Sequence, residues 1–245
     1  MKASQLTLAV LLTAAFGSAY AVEVKGGDSS QRQLIQAAES DSLPFGAGAA
    51  GIKVSTGNGL SKSINLEAGP AQRIRNKYGN APINGGNQNA NVNGAANPRY
   101  LTPGDVNPVL GWFSSKKLGQ VWYEKRANGT EVYSLRQTTF LSPEFGGLVV
   151  AKVPGLKDGN NVYFGEWAPR EALPARNSTD LNMNSRQRSA WYAGDNPTTD
   201  MPRLVNVKYN VLGVSKHTPG RNDFFTGVLT ANYGDGSGKL SGELT

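Results

Sequence analysis

The sequence predicts a mainly β protein, in which a β-rich domain precedes the first part of an antiparallel up-and-down β-barrel. Three observations support this fold class. The last forty residues alternate between apolar and polar positions, as strands with one buried face do. Four shorter strand patterns lie between residues 109 and 167, separated by turn residues. The 30 glycines and 13 prolines suit a chain with many turns.

The C-terminal part, residues 201–245, predicts the start of the barrel as a three-stranded meander. Its connections are the turn-rich segments His217–Asp223 and Gly234–Gly238. The predicted inward positions are Val205, Val207, Tyr209 and Val211, then Phe225, Gly227, Leu229, Ala231 and Tyr233, then Leu240, Gly242 and Leu244. Three strands cannot close a barrel of about eight. Since Thr245 ends the sequence within a strand pattern, we expect a truncated barrel, unless upstream strands complete it.

The first 21 residues have the features of a cleaved signal peptide. Lys2 supplies the positive start, Leu6–Ala15 the apolar run, and Ala19–Ala21 the small-residue cleavage site. Cleavage would leave Val22 first and reduce the formal net charge from +7 to +6, because Lys2 is the only charged residue removed. No cysteine occurs, which excludes disulfides and predicts a secreted protein without a lipid anchor.

The remaining chain divides into two zones. Residues 22–100 are predicted to be an irregular Gly/Asn-rich segment, with one short helix over Ser30–Glu39 and a mobile loop over Asn80–Asn97. Residues 101–200 are predicted to form the β-rich domain. The predicted strands there are Gly119–Arg126, Glu131–Phe140, Gly147–Val153 and Asn161–Trp167. Residues 168–200 are expected to be a polar crossover.

The sequence gives little reason to expect catalysis or nucleic-acid binding. Its basic residues are dispersed, with no run long enough to form a nucleic-acid arm. Gly46–Gly51 fits the glycine pattern of dinucleotide-binding loops, but no strand pattern precedes it, so we interpret it as a turn. The single histidine, His217, lies in a predicted hairpin tip, where a catalytic triad would be poorly supported. We therefore expect a protein that is not an enzyme.

Aromatic residues are concentrated in the second zone. Adjacent pairs such as Trp122-Tyr123 and Trp191-Tyr192 point to opposite faces of a strand. About half of these rings are expected to fill the core. The others could line a groove for a flat apolar ligand, with basic groups on its carboxylates.

Four segments resemble the hemophilin-type secreted hemophores. They are Asn161–Pro169 (NVYFGEWAP), Trp191–Asn196 (WYAGDN), Tyr209–Gly213 (YNVLG) and Phe225–Gly242 (FTGVLTANYGDGSGKLSG). Such hemophores are cargo of the surface lipoprotein assembly modulator (Slam) translocons. The last segment also looks like the C-terminal barrel of transferrin-binding protein B and factor H-binding protein. The resemblance covers about residues 100–245.

The resemblance implies a β-rich handle domain followed by an eight-stranded barrel that carries the export signal read by the Slam translocon. It also implies extracellular capture of heme and delivery to an outer-membrane receptor. The family is expected to place a histidine ligand in the handle, where this sequence has none. Since ferric heme is usually held by His, Tyr, Met or thiolate ligands, the candidates are His217, Tyr163, Tyr192, Met183 and Met201.

Two functions are compatible with these observations. The first is a secreted hemophore, or a relative that carries another flat apolar molecule. The second is a non-catalytic host-interaction or colonisation factor on the same scaffold, without a small ligand. Aromatic content and positive charge favour the first, whereas the missing handle histidine favours the second.

Overall fold

The computed structural model describes residues 23–30, 33–43, 45–78, 100–106, 111–112, 114–140, 143–156, 160–170, 178–198, 202–234 and 237–245. The predicted signal peptide and the predicted mobile loop, residues 80–97, lie outside these ranges. Within them, no helix has the length and apolar character needed to cross a bilayer.

The described residues form three antiparallel sheets, and the mainly β prediction is confirmed. The strands are β1 Val24–Asp28, β2 Ile35–Glu39, β3 Ala50–Val54, β4 Ile64–Asn65, β5 Tyr100–Leu101, β6 Gly119–Lys125, β7 Glu131–Gln137, β8 Gly147–Lys152, β9 Val162–Ala168, β10 Ser189–Asp195, β11 Leu204–Val214, β12 Phe224–Gly234 and β13 Ser237–Leu244. A π-helical turn, Glu67–Ala71, leads into helix α1, Gln72–Tyr78, and a short helix α2 spans Pro103–Val106.

The largest sheet has the strand order β1-β10-β9-β8-β7-β6-β5. Its central strands β6–β9 are those that the sequence predicted, and β7 ends at Gln137, three residues before the predicted end. Strand β10 lies in the expected polar crossover, so that expectation is wrong for residues 189–195. Only Tyr192 is exposed in this strand, so a clear alternation was absent, and polar residues flank the strand on both sides.

The N-terminal zone contains four strands over residues 24–65, where the sequence predicted irregular structure. Strand β2 occupies part of the predicted Ser30–Glu39 helix, so the helix prediction is wrong for Ile35–Glu39. Tertiary pairing decides its conformation, since all five residues pair with β3 and Ile35 is fully buried. Strand β1 pairs with β10, so the largest sheet takes strands from both sides of residue 100.

Both faces of the largest sheet are covered, which produces two apolar cores. The first core lies between this sheet and the β2–β3–β4 sheet with helix α1; Tyr123 and Tyr163 point into it. The second core covers the opposite face and includes Trp122, Phe164 and Met183. The adjacent aromatics Trp122 and Tyr123 therefore do point to opposite faces, and both rings are buried. A sheet buried on both faces explains why β6–β9 read as nearly continuous apolar runs.

The C-terminal meander forms as predicted, with the order β11-β12-β13. It is an open three-stranded sheet, and no sheet in the described ranges closes into a barrel. The pairing of β11 with β12 shifts between Leu204 and Val207, where Asn206 has a φ of 53°. This bulge reverses the local face, so Val205 is 63% exposed although the alternation had placed it with Val207 on the inner face.

Candidate functional site

His217 lies in the connection between β11 and β12, and its side chain is buried against the largest sheet. The residue is only 1% exposed, although it lies in the predicted hairpin tip. Its Nδ1 lies 2.7 Å from Asp223 Oδ1, and its Nε2 lies 3.4 Å from Glu124 Oε1. Its ring packs edge-on against Phe224 of the second core, with centroids 5.4 Å apart.

Two carboxylates of the largest sheet hold this connection in place. Glu166 on β9 is fully buried and accepts hydrogen bonds from the backbone N–H groups of Lys216 and His217, each at 2.9 Å. It also forms an ion pair with Arg188. Glu124 on β6 accepts a 2.9 Å hydrogen bond from the backbone N–H of Gly220. We call Glu124, Glu166, His217 and Asp223 the carboxylate clamp.

Arg126 adds a second attachment beside the carboxylate clamp. Its guanidinium donates to Glu124 Oε2 at 3.2 Å, to Asn222 Oδ1 at 2.9 Å and to the backbone carbonyl of Arg221 at 2.8 Å. It also lies 4.3 Å from the ring centroid of Phe224. The β11–β12 connection is thus bound to the sheet by charge-assisted hydrogen bonds, which are stronger than neutral ones, and by a cation–π contact.

The electrostatics of the carboxylate clamp favour a protonated His217. Burial alone would lower the pKa of the imidazole, but the Asp223 and Glu124 carboxylates outweigh it and raise the pKa to about 9. At neutral pH the ring is therefore a cation with both nitrogens protonated. In this structure both ring nitrogens face carboxylates and the residue is 1% exposed, so coordination of iron by His217 would require the carboxylate clamp to open and the ring to lose a proton.

Tyr163 lies on the opposite face of the same sheet, and its hydroxyl group is also paired with a carboxylate. It is 1% exposed in the first core, and its hydroxyl donates to Glu67 Oε2 at 2.5 Å. Glu67 further binds Lys152 at 2.9 Å and Arg75 at 3.1 Å. Burial and the Glu67 carboxylate both raise the pKa of the Tyr163 hydroxyl. A buried, protonated phenol that already donates its proton does not fit a tyrosinate ligand to heme.

The Glu67 carboxylate belongs to a wider network that fixes helix α1 on the sheet. Arg75 of α1 contacts Glu67, the Tyr133 hydroxyl and Glu131, the last at 3.2 Å. The Tyr123 hydroxyl donates to Glu131 Oε1 at 2.8 Å. These pairings account for the polar groups of the buried tyrosines and indicate a structural role.

Tyr192 is the accessible member of the three predicted ligands. It lies on β10 and is 45% exposed. It pairs across the sheet with Phe164 of the second core and with Gly27 of β1. Its ring covers Gly27, where an added Cβ would lie 3.0 Å from the ring. Tyr163 and Tyr192 therefore lie on opposite faces, and the three predicted residues do not form one site.

The two methionine candidates add no site. Met183 is buried in the second core. Met201 lies outside the described residues. Within the described ranges, no group of three or more His, Asp or Glu side chains is placed to hold a metal ion.

An apolar pocket lies between the π-helical turn with α1 and strands β5–β7, at a place that sequence reasoning missed. Its cavity volume is about 90 Å³. The walls are mostly apolar and include Phe45, Pro70, Leu101, Leu118, Leu135 and Phe145. No local pattern reveals such a pocket, because its walls come from segments that lie up to a hundred residues apart.

One cation is built into the wall of this pocket. Arg73 of α1 lines it, and the guanidinium carbon lies 5.5 Å from the ring centroid of Phe45. The Nε of Arg73 is buried and has no hydrogen-bond partner among the described residues. A buried, unpaired N–H of a charged group is costly, and an anionic ligand would satisfy it. We call this cavity the Arg73 pocket.

No protein-family model matches the chain, and no solved structure matches it at a significant level. The function is therefore inferred from the sequence and from the geometry of the described residues.

Titration of the single imidazole tests the electrostatics of the carboxylate clamp. Because the chain has one histidine, its imidazole NMR signals report on His217 alone. We expect a pKa of about 9, and a pKa lower by about one unit or more in Asp223→Asn, since one carboxylate neighbour is lost. Asp180→Asn, at an exposed position, is the control.

The same pKa fixes the sign of a pH effect on stability. The folded-state pKa exceeds the unfolded value of about 6.5, so the contribution is complete below that value and disappears as the pH rises through about 9. Wild type should therefore lose stability relative to His217→Gln across this range. A pKa near 6.5 that does not respond to Asp223→Asn would contradict the carboxylate clamp.

Proposed function

We propose that this chain is a secreted, non-catalytic binding protein that takes a small apolar carboxylate into the Arg73 pocket. The observation that carries the proposal is the buried Arg73 Nε, unpaired within the described residues, at the wall of an apolar cavity. Secretion rests on the signal-peptide pattern of residues 1–21, and export through a Slam translocon rests on the resemblance of residues 100–245.

The size of the Arg73 pocket limits its occupant. Its volume of about 90 Å³ is smaller than the cavity of ~150 Å³ that accepts benzene in a protein core. A short alkyl segment or part of one ring is therefore the group that fits inside, with the rest of the ligand outside. The apolar walls supply most of the affinity, and Arg73 selects the anionic head group.

Heme is the ligand that the family resemblance implies, and it fits the described residues less well. His217 and Tyr163 are both enclosed and protonated, which leaves Tyr192 as the accessible candidate. A porphyrin is also much larger than the Arg73 pocket. Delivery of heme to an outer-membrane receptor stays a prediction from the resemblance, and so does the alternative role as a host-interaction factor.

A matched pair of ligands tests the Arg73 pocket. Calorimetric titration of residues 22–245 with benzoate and benzyl alcohol compares two single-ring molecules that differ in charge. We expect benzoate to bind about tenfold or more tightly, because a hydrogen bond to a charged group contributes about 1.5–3 kcal/mol. Arg73→Gln should abolish this preference, and Leu135→Trp should block both ligands by filling the cavity.

Arg186→Gln, an exposed arginine in the 178–188 segment, is the control and should bind as wild type does. Absence of saturable binding of both ligands would refute the proposed function. A preference for benzoate that survives Arg73→Gln would refute the role of Arg73.

Hemin titration followed in the Soret region tests the alternative ligand. If heme binds through the accessible tyrosine, Tyr192→Phe should shift or remove the Soret change, while His217→Gln and Tyr163→Phe should leave it in place. A Soret change that depends on His217 would contradict the assignment of that residue to the carboxylate clamp. An unchanged hemin spectrum would refute heme as the ligand.

A further inference from the structure

A second, smaller cavity lies beside the second core, where β7, the start of β8, the end of β9 and residues 178–182 meet. Its volume is about 20 Å³. A cavity needs about 10–15 Å³ to hold one water molecule, so this one accepts a single small occupant. Two arginines, Arg136 and Arg170, are among the residues that line it. We call it the two-arginine cavity.

Arg136 places a buried positive charge at this cavity. It lies on β7 and is only 5% exposed. Its guanidinium donates to the backbone carbonyl of Ser178 at 2.6 Å and to Gln120 Oε1. Burial lowers the pKa of this guanidinium and outweighs the attraction of Tyr100 and Asp180, which act in the opposite direction. An anion in the cavity would offset the cost of burying this charge.

Arg170 adds a second cation and an open donor. It follows β9, and its backbone N–H donates to Glu144 Oε1 at 2.6 Å. Its guanidinium stacks on the ring of Phe140, with the central carbon 3.3 Å from the ring centroid, which fixes the position of the side chain. The Nη1 of Arg170 is buried and has no hydrogen-bond partner among the described residues. Because a buried, unpaired N–H of a charged group is costly, we expect an acceptor beside it.

The segment of residues 178–182 closes the cavity from outside. Asn182 Nδ2 donates to the backbone carbonyl of Pro169 at 2.8 Å, which attaches this segment to the end of β9. The segment also approaches the sheet closely at Gly147, where an added Cβ would lie 1.9 Å from the carbonyl oxygen of Leu181. A side chain at this position would therefore separate the two layers. The close approach keeps the cavity too narrow for an organic acid of several atoms.

Asp180 is the acidic residue in the cavity wall. It is exposed, and its Oδ1 already accepts a 2.8 Å hydrogen bond from the backbone N–H of Asn182. Two guanidinium groups thus face one carboxylate at the rim, which leaves the described wall with an excess of positive charge. Such a wall favours an anion over a neutral water molecule.

We propose that the two-arginine cavity binds a single halide ion, such as chloride, between the guanidinium groups of Arg136 and Arg170. The charge of the wall selects an anion, and the volume selects a monatomic one. The ion would accept a hydrogen bond from the open Nη1 of Arg170 and would join β7 to the residue after β9 and to residues 178–182. Since Leu181 of this segment belongs to the second core, the ion stabilises the cover of that core.

A chloride titration at constant ionic strength tests this site. Denaturant unfolding of residues 22–245 is measured while sodium chloride replaces sodium gluconate, whose anion is too large for the cavity. Constant ionic strength keeps the screening of surface charges unchanged. Above the Kd for chloride, we expect the unfolding equilibrium constant to fall about tenfold for each tenfold rise in chloride, because the folded chain binds the ion and the unfolded chain does not.

Three variants assign the chloride effect to the two-arginine cavity. Arg170→Gln should abolish the chloride dependence, because one cation is lost from the wall. Asp180→Asn should lower the Kd for chloride, since it removes the negative charge at the rim and keeps an oxygen for the N–H of Asn182. Arg186→Gln, an exposed arginine in the 178–188 segment, is the control and should respond to chloride as wild type does. A chloride dependence that survives Arg170→Gln would overturn the proposal, and so would equal stability in chloride and gluconate, which would indicate water in the cavity.

Bromide locates the ion in the wild-type chain, so this measurement does not depend on a variant that folds. Crystals of residues 22–245 grown in sodium bromide should show an anomalous scattering peak between the guanidinium groups of Arg136 and Arg170. Sodium chloride added in excess should remove the peak by competition. Peaks at the protein surface without one in the cavity would show an adventitious ion only and would overturn the proposal.

Discussion

The buried carboxylate of Glu166 is the constraint on which the arrangement of this chain depends. A fully buried charge is tolerated only where it is paired and hydrogen-bonded. Glu166 meets this condition through Arg188 and the backbone N–H groups of Lys216 and His217. The β11–β12 connection is therefore held where it satisfies a carboxylate in the middle of β9. Removing one partner of such a group typically costs about 3–5 kcal/mol.

The position of His217 follows from that attachment. With its backbone N–H on Glu166, the imidazole is directed between Glu124 and Asp223, where burial alone would disfavour a charge but the two carboxylates favour it. Through these two carboxylates, the imidazole attaches the meander to the largest sheet. The Glu166 attachment thus explains why the single imidazole is enclosed between carboxylates.

The Arg73 pocket lies on the opposite side of the largest sheet. There, Glu67, Arg75 and Glu131 pair with the buried tyrosines, so these aromatic residues are structural. Arg73, two residues before Arg75, faces the apolar pocket and keeps an unpaired Nε within the described residues. One helix therefore presents two arginines with different surroundings. The arginine within the network stabilises the fold, and the arginine outside it is the one that we propose contacts a ligand.

Local patterns predicted the parts of this fold that depend on local sequence. Strands β6–β9 and the meander were recognisable because their alternation and turn residues are contiguous. Strand β2 was mistaken for part of a helix because its conformation depends on pairing with β3. The clamp could not be foreseen because Glu124 and Glu166 lie about ninety and fifty residues before His217. The Arg73 pocket gave no sequence signal because its walls and the Arg73 Nε, unpaired among the described residues, come together only in the folded chain.

Amide hydrogen exchange in Glu166→Gln, with Glu39→Gln at an exposed position of β2 as control, is the most direct test of how the meander is attached. If Glu166 attaches the meander, the variant should exchange faster in β11 and β12 and in residues 215–223, while β6–β9 retain their protection, because local opening is governed by local contacts. Unchanged protection of the meander, or an equal loss of protection in both sheets, would contradict the central role of Glu166.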